Sequence, residues 1–345
     1  PLMNFAPFDS VDQLEDALSD PTPGVVETCG RLQGDVILLG VAGKMGPTLA
    51  RMIQRASVEA GVERRVIGVS RFSDGDMEAR LQTQGIETIR CDLLDEAQVA
   101  KLPDAPNVVY MPAMKFGATG QESLTWAMNT HLPSIACKRY RDSRIVAFST
   151  GNVYGLTSVE EGGSVETDRP DPVGEYAMSC LGRERMFEHF SRTLEIPVSI
   201  IRLNYACEPR YGVLVDIAQK VWNNEPIDVS MGFFNIIWQG DANAMTIQSF
   251  DQAATPPWFI NITGPERLSI RDTALQFGEL LDRDVTLTGE ETETALLSDS
   301  SRALKLFGEP RVGVDALMNW IADWIRRGGE SLGKPTKFES RDGKF

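Results

Sequence analysis

The stretch Asp35-Val36-Ile37-Leu38-Leu39-Gly40-Val41-Ala42-Gly43-Lys44-Met45-Gly46 decides the fold. An unbroken apolar run stops at a glycine, and two further glycines follow at intervals of three. Behind them an apolar periodicity over 45–60 reads as a helix. A strand that passes through a glycine turn into a helix N-terminus makes an anion site. Backbone N–H groups and the positive end of the helix dipole both face the turn. Gly40 permits the tight turn, Gly43 lets the backbone approach a pyrophosphate, and Gly46 lets the helix pack on the strand. Taken alone, the spacing fits a dinucleotide cradle and a plain strand–helix turn equally well.

The rest of the chain tips that balance. Short β-branched runs at 66–69, 86–89, 108–111, 144–148 and 198–202 alternate with helical spacers, of which 122–140 and 176–194 are the longest. This alternation predicts an α/β fold with a doubly wound parallel sheet whose site lies at the carboxyl ends of the strands. After Arg202 the regularity fades around Pro209, Gly212, Pro226 and Gly232; a further strand is expected at 258–262 and helices at 269–281 and 314–327. The chain thus divides into an N-terminal extension (1–33), a dinucleotide-binding domain (34–205 plus 236–264), a smaller, mostly C-terminal substrate domain (206–235 plus 265–330) and a polar tail (331–345). In the extension, Ser10 and Gln13 have capping-box spacing, Leu14 and Leu18 share a helix face, and Pro21-Thr22-Pro23-Gly24 breaks the chain. The extension is expected to cover one side of the main domain, and the tail to wrap or fray.

Composition narrows the class further. The 345 residues carry a formal net charge of −15, which argues against nucleic-acid and anionic-membrane partners. No run reaches the ~18 apolar residues of a membrane span and no signal-peptide pattern opens the sequence, so a cytoplasmic protein is expected. Five dispersed cysteines without a C-x-x-C pair, beside only His131 and His189, give neither a disulfide framework nor a metal cage. Trp320 and Trp324, four apart on a helix, read as core.

From Asp35 to Arg327 the sequence resembles the extended short-chain dehydrogenase/reductase family, its NAD(P)-dependent epimerase/dehydratase group. The resemblance rests on the glycine turn, on Cys91-Asp92-Leu93 after the third strand and on Tyr110-Met111-Pro112-Ala113-Met114-Lys115. It rests also on Ser149-Thr150-Gly151-Asn152-Val153-Tyr154-Gly155 followed by Tyr176, and on Phe259-Ile260-Asn261-Ile262-Thr263-Gly264. It implies an NAD(P)-binding Rossmann fold in which Gly40, Gly43, Lys44, Met45, Gly46, Asp92, Leu93, Ala113 and Lys115 line the cofactor. Tyr176 becomes the acid/base that also touches the cofactor, Thr150 the hydroxyl holding the substrate oxygen, and Asn129 the helix asparagine. Asn152, Asn204 and Arg210 fall on the substrate side, although Arg210 fits a loop-tying salt bridge as well. Helices 122–140 and 176–194 would pair with their copies in a homodimer.

The family places a lysine one helical turn beyond the catalytic tyrosine; here that position is Cys180. A neutral thiol cannot stabilise phenolate as an ammonium does. Arg183, Lys115 or the oxidised nicotinamide are the candidate replacements. With His131 and His189 poorly placed as bases, Cys180 is not expected to be a nucleophile. Gly151 and Asn152 stand where the 4,6-dehydratase branch carries Asp and Glu, which argues against dehydration by that route. At the end of the second strand, Val69-Ser70-Arg71 lacks the carboxylate that selects the 2′-hydroxyl of NAD, and Arg71 suits a 2′-phosphate. NADP is therefore expected, with NAD as the alternative left open by Asp74 and Asp76. The expected function is an epimerase or carbonyl reductase/dehydrogenase acting on a sugar, sugar acid or sugar nucleotide. A cofactor-binding sensor without turnover is the alternative.

Overall fold

The computed structural model describes residues 7–73, 75–115 and 120–344. Seven strands form one sheet: β1 Val36–Leu39, β2 Val66–Ser70, β3 Glu87–Arg90, β4 Asn107–Tyr110, β5 Arg144–Thr150, β6 Val198–Leu203 and β7 Trp258–Ile262. Their order is β7-β6-β5-β4-β1-β2-β3 and every pairing is parallel. The order reverses between β1 and β4, so a crevice opens at their carboxyl ends, where Leu39 sits beside Val69 and Tyr110. Helices cover both faces, which is why β1 is apolar at every position and buried throughout. The edge strand β3 is half exposed and accordingly mixes Glu87 and Arg90 with Ile89.

Boundaries shift by one residue at β3, β4 and the first sheet helix, which runs Gly46–Glu59. A larger departure lies in the expected 122–140 helix. It consists of an α-helix Glu122–Trp126, a π-helical stretch Ala127–His131 and an α-helix Leu132–Arg139. Pro133 has no N–H for the Asn129 carbonyl and crowds it, so the ladder widens. Leu132 N–H reaches back to Ala127 instead, and the freed Asn129 carbonyl accepts from Arg183 Nε (3.4 Å).

The extension does more than cover the main domain. Ser10 caps helix Val11–Leu18 by accepting from Gln13 N–H, and Gln13 Oε1 accepts from Asp9 N–H (2.8 Å). Leu14 and Leu18 are fully buried among Val213, Ile217 and Val221 of the second core. Each such burial stabilises by about 1.5–3 kcal/mol. Pro21 to Gly24, expected only as a break, starts a second helix, Pro23–Arg31, with Thr22 as its cap and the proline in the first turn. Its Val25 and Cys29 pack with Leu49, Met52 and Ile53 of helix Gly46–Glu59.

The second core gathers helices Val213–Trp222, Ile270–Leu281 and Val314–Arg326. Trp320 and Trp324 are buried in it, Trp320 edge-on to Trp238 at 5.4 Å. The tail wraps: Phe338 is buried in the same core and Thr336 donates to Asp216. All five cysteines are buried and free.

Candidate active site

The glycine turn is held by β2, with Gly40 and Val41 N–H donating to the Val69 carbonyl (2.8 and 3.1 Å). Gly40 has φ +80°, a conformation that needs glycine. A Cβ at Gly46 would run into the Val41 backbone, so helix and turn are in close contact there. A Cβ at Gly43 would meet only the Gly40 carbonyl oxygen, at 3.5 Å, and otherwise project into open space. No side chain caps the helix that begins at Gly46, which leaves its first N–H groups to the crevice. An open glycine face beside an uncapped helix N-terminus fits a dinucleotide diphosphate.

A cavity of about 900 Å³ extends from this turn, and Gly40, Gly43, Lys44, Arg71, Asp92, Leu93 and Ala113 all line it. Arg71 and Asp92 are exposed to it. Asp76 lies in the first turn of helix Gly75–Thr83, and Asp74 falls outside the described residues. Lys44 lies over the Tyr211 ring, 3.4 Å from its centroid. Burial, then the charges of Lys115 and Lys334, push the Lys44 pKa down to about 7.

At the far end of β5, Thr150 Oγ1 donates to Asn152 Oδ1 (2.9 Å) and accepts from Asn152 N–H (3.2 Å). Helix Gly174–Leu194 brings the Tyr176 hydroxyl into hydrogen-bonding reach of Thr150 and of the Cys180 thiol. Burial pushes the Tyr176 pKa well above its usual value and Cys180 adds to this, while Arg183 and Thr150 oppose it. Cys180 is fully buried and its pKa is raised, first by burial, so it is a thiol rather than a nucleophilic thiolate. Lys115 Nζ lies 5.7 Å from the Tyr176 ring centroid, beside Cys180. Burial lowers the Lys115 pKa to about 8.

Asn129 ties these parts together. Its amide exchanges hydrogen bonds with Met114 (2.8 and 3.1 Å), which fixes the loop carrying Lys115, and Nδ2 donates to Ser179 Oγ (3.0 Å) on the Tyr176 helix. Arg183 is buried, giving its guanidinium to Asn129 Oδ1 (2.9 Å) and the Phe148 carbonyl (2.9 Å). It acts on Tyr176 through its charge while being committed to the scaffold. Glu184 is a scaffold residue that motif reading missed. It accepts from Arg202 at both oxygens (3.0 and 2.8 Å) and from Ser149 Oγ (2.6 Å), joining β5, β6 and the helix.

Asn204 and Arg210 are both held by protein partners. Asn204 is buried and donates to Asn235 Oδ1 (2.6 Å), packed where a Cβ on Gly151 would approach it to 3.2 Å. Arg210 lines the cavity of the glycine turn, pinned by Glu208 (2.9 Å) and by Glu15 (3.1 Å) of the extension. Two carboxylates thus balance its charge. Glu15 also binds Arg80 (2.5 Å) and itself lines the cavity, as do Glu330, Leu332 and Lys334 of the tail. Neither terminal segment carried a motif that announced this.

Among the described residues no helix is long and apolar enough to cross a membrane, and no group of three or more His, Cys, Asp or Glu side chains is placed to hold a metal ion. No curated protein matches the sequence at a significant level. Solved structures do share the fold. One is a UDP-glucose 4-epimerase from Thermotoga maritima with UDP-glucose (15% identity, TM-score 0.71, covering 85% of this chain and 99% of that one). Another is a UDP-glucuronic acid 4-epimerase from Bacillus cereus in complex with UDP-glucuronic acid and NAD (19%, TM-score 0.71, 85% and 99%). A third is a Thermus thermophilus UDP-glucose 4-epimerase complex with NAD (18%, TM-score 0.68, 85% and 99%). Residues 36–213, more than half of the chain and the part that holds the glycine turn, Thr150 and Tyr176, match the NAD dependent epimerase/dehydratase family, and the chain belongs to that enzyme family.

Proposed function

We propose that the protein interconverts a carbinol and a carbonyl on a sugar, sugar acid or sugar nucleotide, as an epimerase or a carbonyl reductase/dehydrogenase. The sugar-nucleotide class is supported by the UDP-sugars bound to structures of the same fold. One observation carries the reading: a phenol, a threonine hydroxyl and a lysine ammonium converge at the carboxyl end of β5, although the helix itself lacks the lysine. When bound, a nicotinamide dinucleotide supplies the hydride acceptor or donor. Gly40, Gly43 and Lys44 would hold its diphosphate, and Asp92 and Leu93 its adenine. Arg71, at the tip of a strand ending in Ser70 rather than a carboxylate, favours the 2′-phosphate of NADP over NAD.

Tyr176 holds the proton. With its pKa raised, it is a phenol in the resting protein, set to protonate a developing alkoxide. The Thr150 hydroxyl, turning its proton from Asn152, would donate to the same oxygen and orient it. Arg183, whose charge opposes the rise in the Tyr176 pKa, and Lys115, over the ring face, together stand in for the helix lysine: their charge lowers the energy of the phenolate left behind and eases the reverse proton abstraction. In an epimerase the proton and hydride would return with the sugar presented by its opposite face.

The test is Tyr176→Phe. The variant is expected to keep dinucleotide binding, read by reduced-nicotinamide fluorescence, and to lose turnover of UDP-sugars and keto sugars followed at 340 nm or by product analysis. Unchanged turnover would remove the acid/base role. Wild-type silence over the whole panel, with binding intact, would leave a dinucleotide sensor.

A further inference from the structure

Beyond helix Val314–Arg326 the chain doubles back along the crevice. Leu332 N–H donates to the Arg210 carbonyl (3.1 Å), and Trp324 Nε1 to the Glu330 carbonyl (2.8 Å). Farther along, Thr336 gives its N–H and its hydroxyl to the Asp216 carboxylate (2.7 and 2.6 Å), and Phe338 is 1% exposed. Arg341 donates to the Thr294 carbonyl and hydroxyl (2.8 and 2.7 Å), and the Gly343 backbone packs on Gly174, which opens the helix of Tyr176. The segment therefore spans from the glycine-turn cavity to the catalytic helix. Its two halves are held unequally. Residues 336–344 are anchored by a buried aromatic and several side-chain bonds, whereas Glu330, Gly333, Lys334 and Pro335 are exposed. Gly328, just before that exposed half, and Gly333, within it, are both at positive φ and can absorb a hinge rotation.

Charge gives the exposed half its purpose. Lys334 lines the cavity and its charge is felt by Lys44, which in turn feels Lys115. Ammonium groups from the glycine turn, the β4 loop and the tail are offset in part by Asp216 but still repel one another, and an anion lying between them relieves this. A diphosphate on the glycine turn is such an anion.

We propose that residues 330–344 form a strap over the bound dinucleotide, with Lys334 supplying a cation to its diphosphate from the side opposite the glycine turn, and that residues 330–335 lift for the dinucleotide to enter and leave. This rests on the dinucleotide reading above. Hydrogen exchange of the full chain with and without NADPH, together with stopped-flow release of NADPH from wild type and Lys334→Gln, tests both. NADPH is expected to slow amide exchange across 328–337. Lys334→Gln is expected to release NADPH roughly two- to fivefold faster, the range for an exposed ion pair, with a shallower salt dependence. If wild type binds NADPH while exchange across 328–337 is the same free and bound, or if Lys334→Gln releases it at the wild-type rate, the strap is overturned and the cofactor site stands. If wild type binds neither NADPH nor NADH, the cofactor reading itself falls.

Discussion

The two ends of the crevice handle positive charge in opposite ways. At the β2–β3 end, Arg71 and Arg80 are exposed, and Arg80 is steadied by Glu15. At the β5 end, Arg183 is buried and fully committed to main-chain and amide acceptors, while Lys115 has its pKa lowered to about 8 by burial. An exposed guanidinium keeps its charge at every working pH and acts on whatever ligand arrives, in competition with salt. A buried amine acts on its neighbours' proton affinities and itself titrates near neutrality. On the proposed function, the outer end would choose the ligand and the inner end would move a proton.

The sharpest way to break this division is Tyr176→Phe, expected to lower turnover by about 10²- to 10⁴-fold while nucleotide affinity stays within about twofold. Equal losses in affinity would mean that Tyr176 serves binding rather than chemistry. Next comes Lys115→Met. Lys115 is charged below about pH 8 and neutral above it, so wild-type reductive turnover should decline as pH rises through about 8. The variant should be about 10- to 100-fold slower at pH 7 and lack that decline, because the titrating charge beside the phenol has been removed. A pH profile identical to wild type would detach Lys115 from the proton.

Adding Cys180→Lys to Lys115→Met refines the point. An ammonium one helical turn from Tyr176 should return most of the lost turnover, whereas in the wild-type background the same change should leave or raise it. Failure of the rescue would show that the loop position of Lys115, not its charge, matters. The smallest effect is expected at the outer end. Arg71→Ala should weaken NADPH by about tenfold, or about 1.4 kcal/mol, and leave NADH nearly unchanged, by fluorescence titration. Equal weakening of both would remove the 2′-phosphate contact.

The parts of this molecule that sequence exposes are those written in one contiguous stretch. Asp35 to Gly46 specifies strand, turn and helix locally, and the apolar run at 36–39, stopped by a glycine, reads as a strand buried on both faces. The alternation after it fixed the sheet, since parallel strands need crossovers. Lys115 was legible as a candidate because it ends a recognisable motif, but its place beside Tyr176 depends on Asn129 bonding Met114, a contact between residues 15 apart in sequence. Pro133 was in plain view. Its widening of the helix at Asn129 was not, since it depends on the acceptor that Arg183 fills. Glu15 and Lys334 resemble ordinary surface charges in the sequence, and only the folding of both terminal segments onto Arg210 brings them to the cavity.

That meeting at Arg210 couples the two terminal segments of the chain. Glu15 grips its guanidinium from the front of the chain, and Leu332 binds its carbonyl from the back. One arginine thus ties both terminal segments to the same wall of the cavity, so loosening either of them reaches that wall.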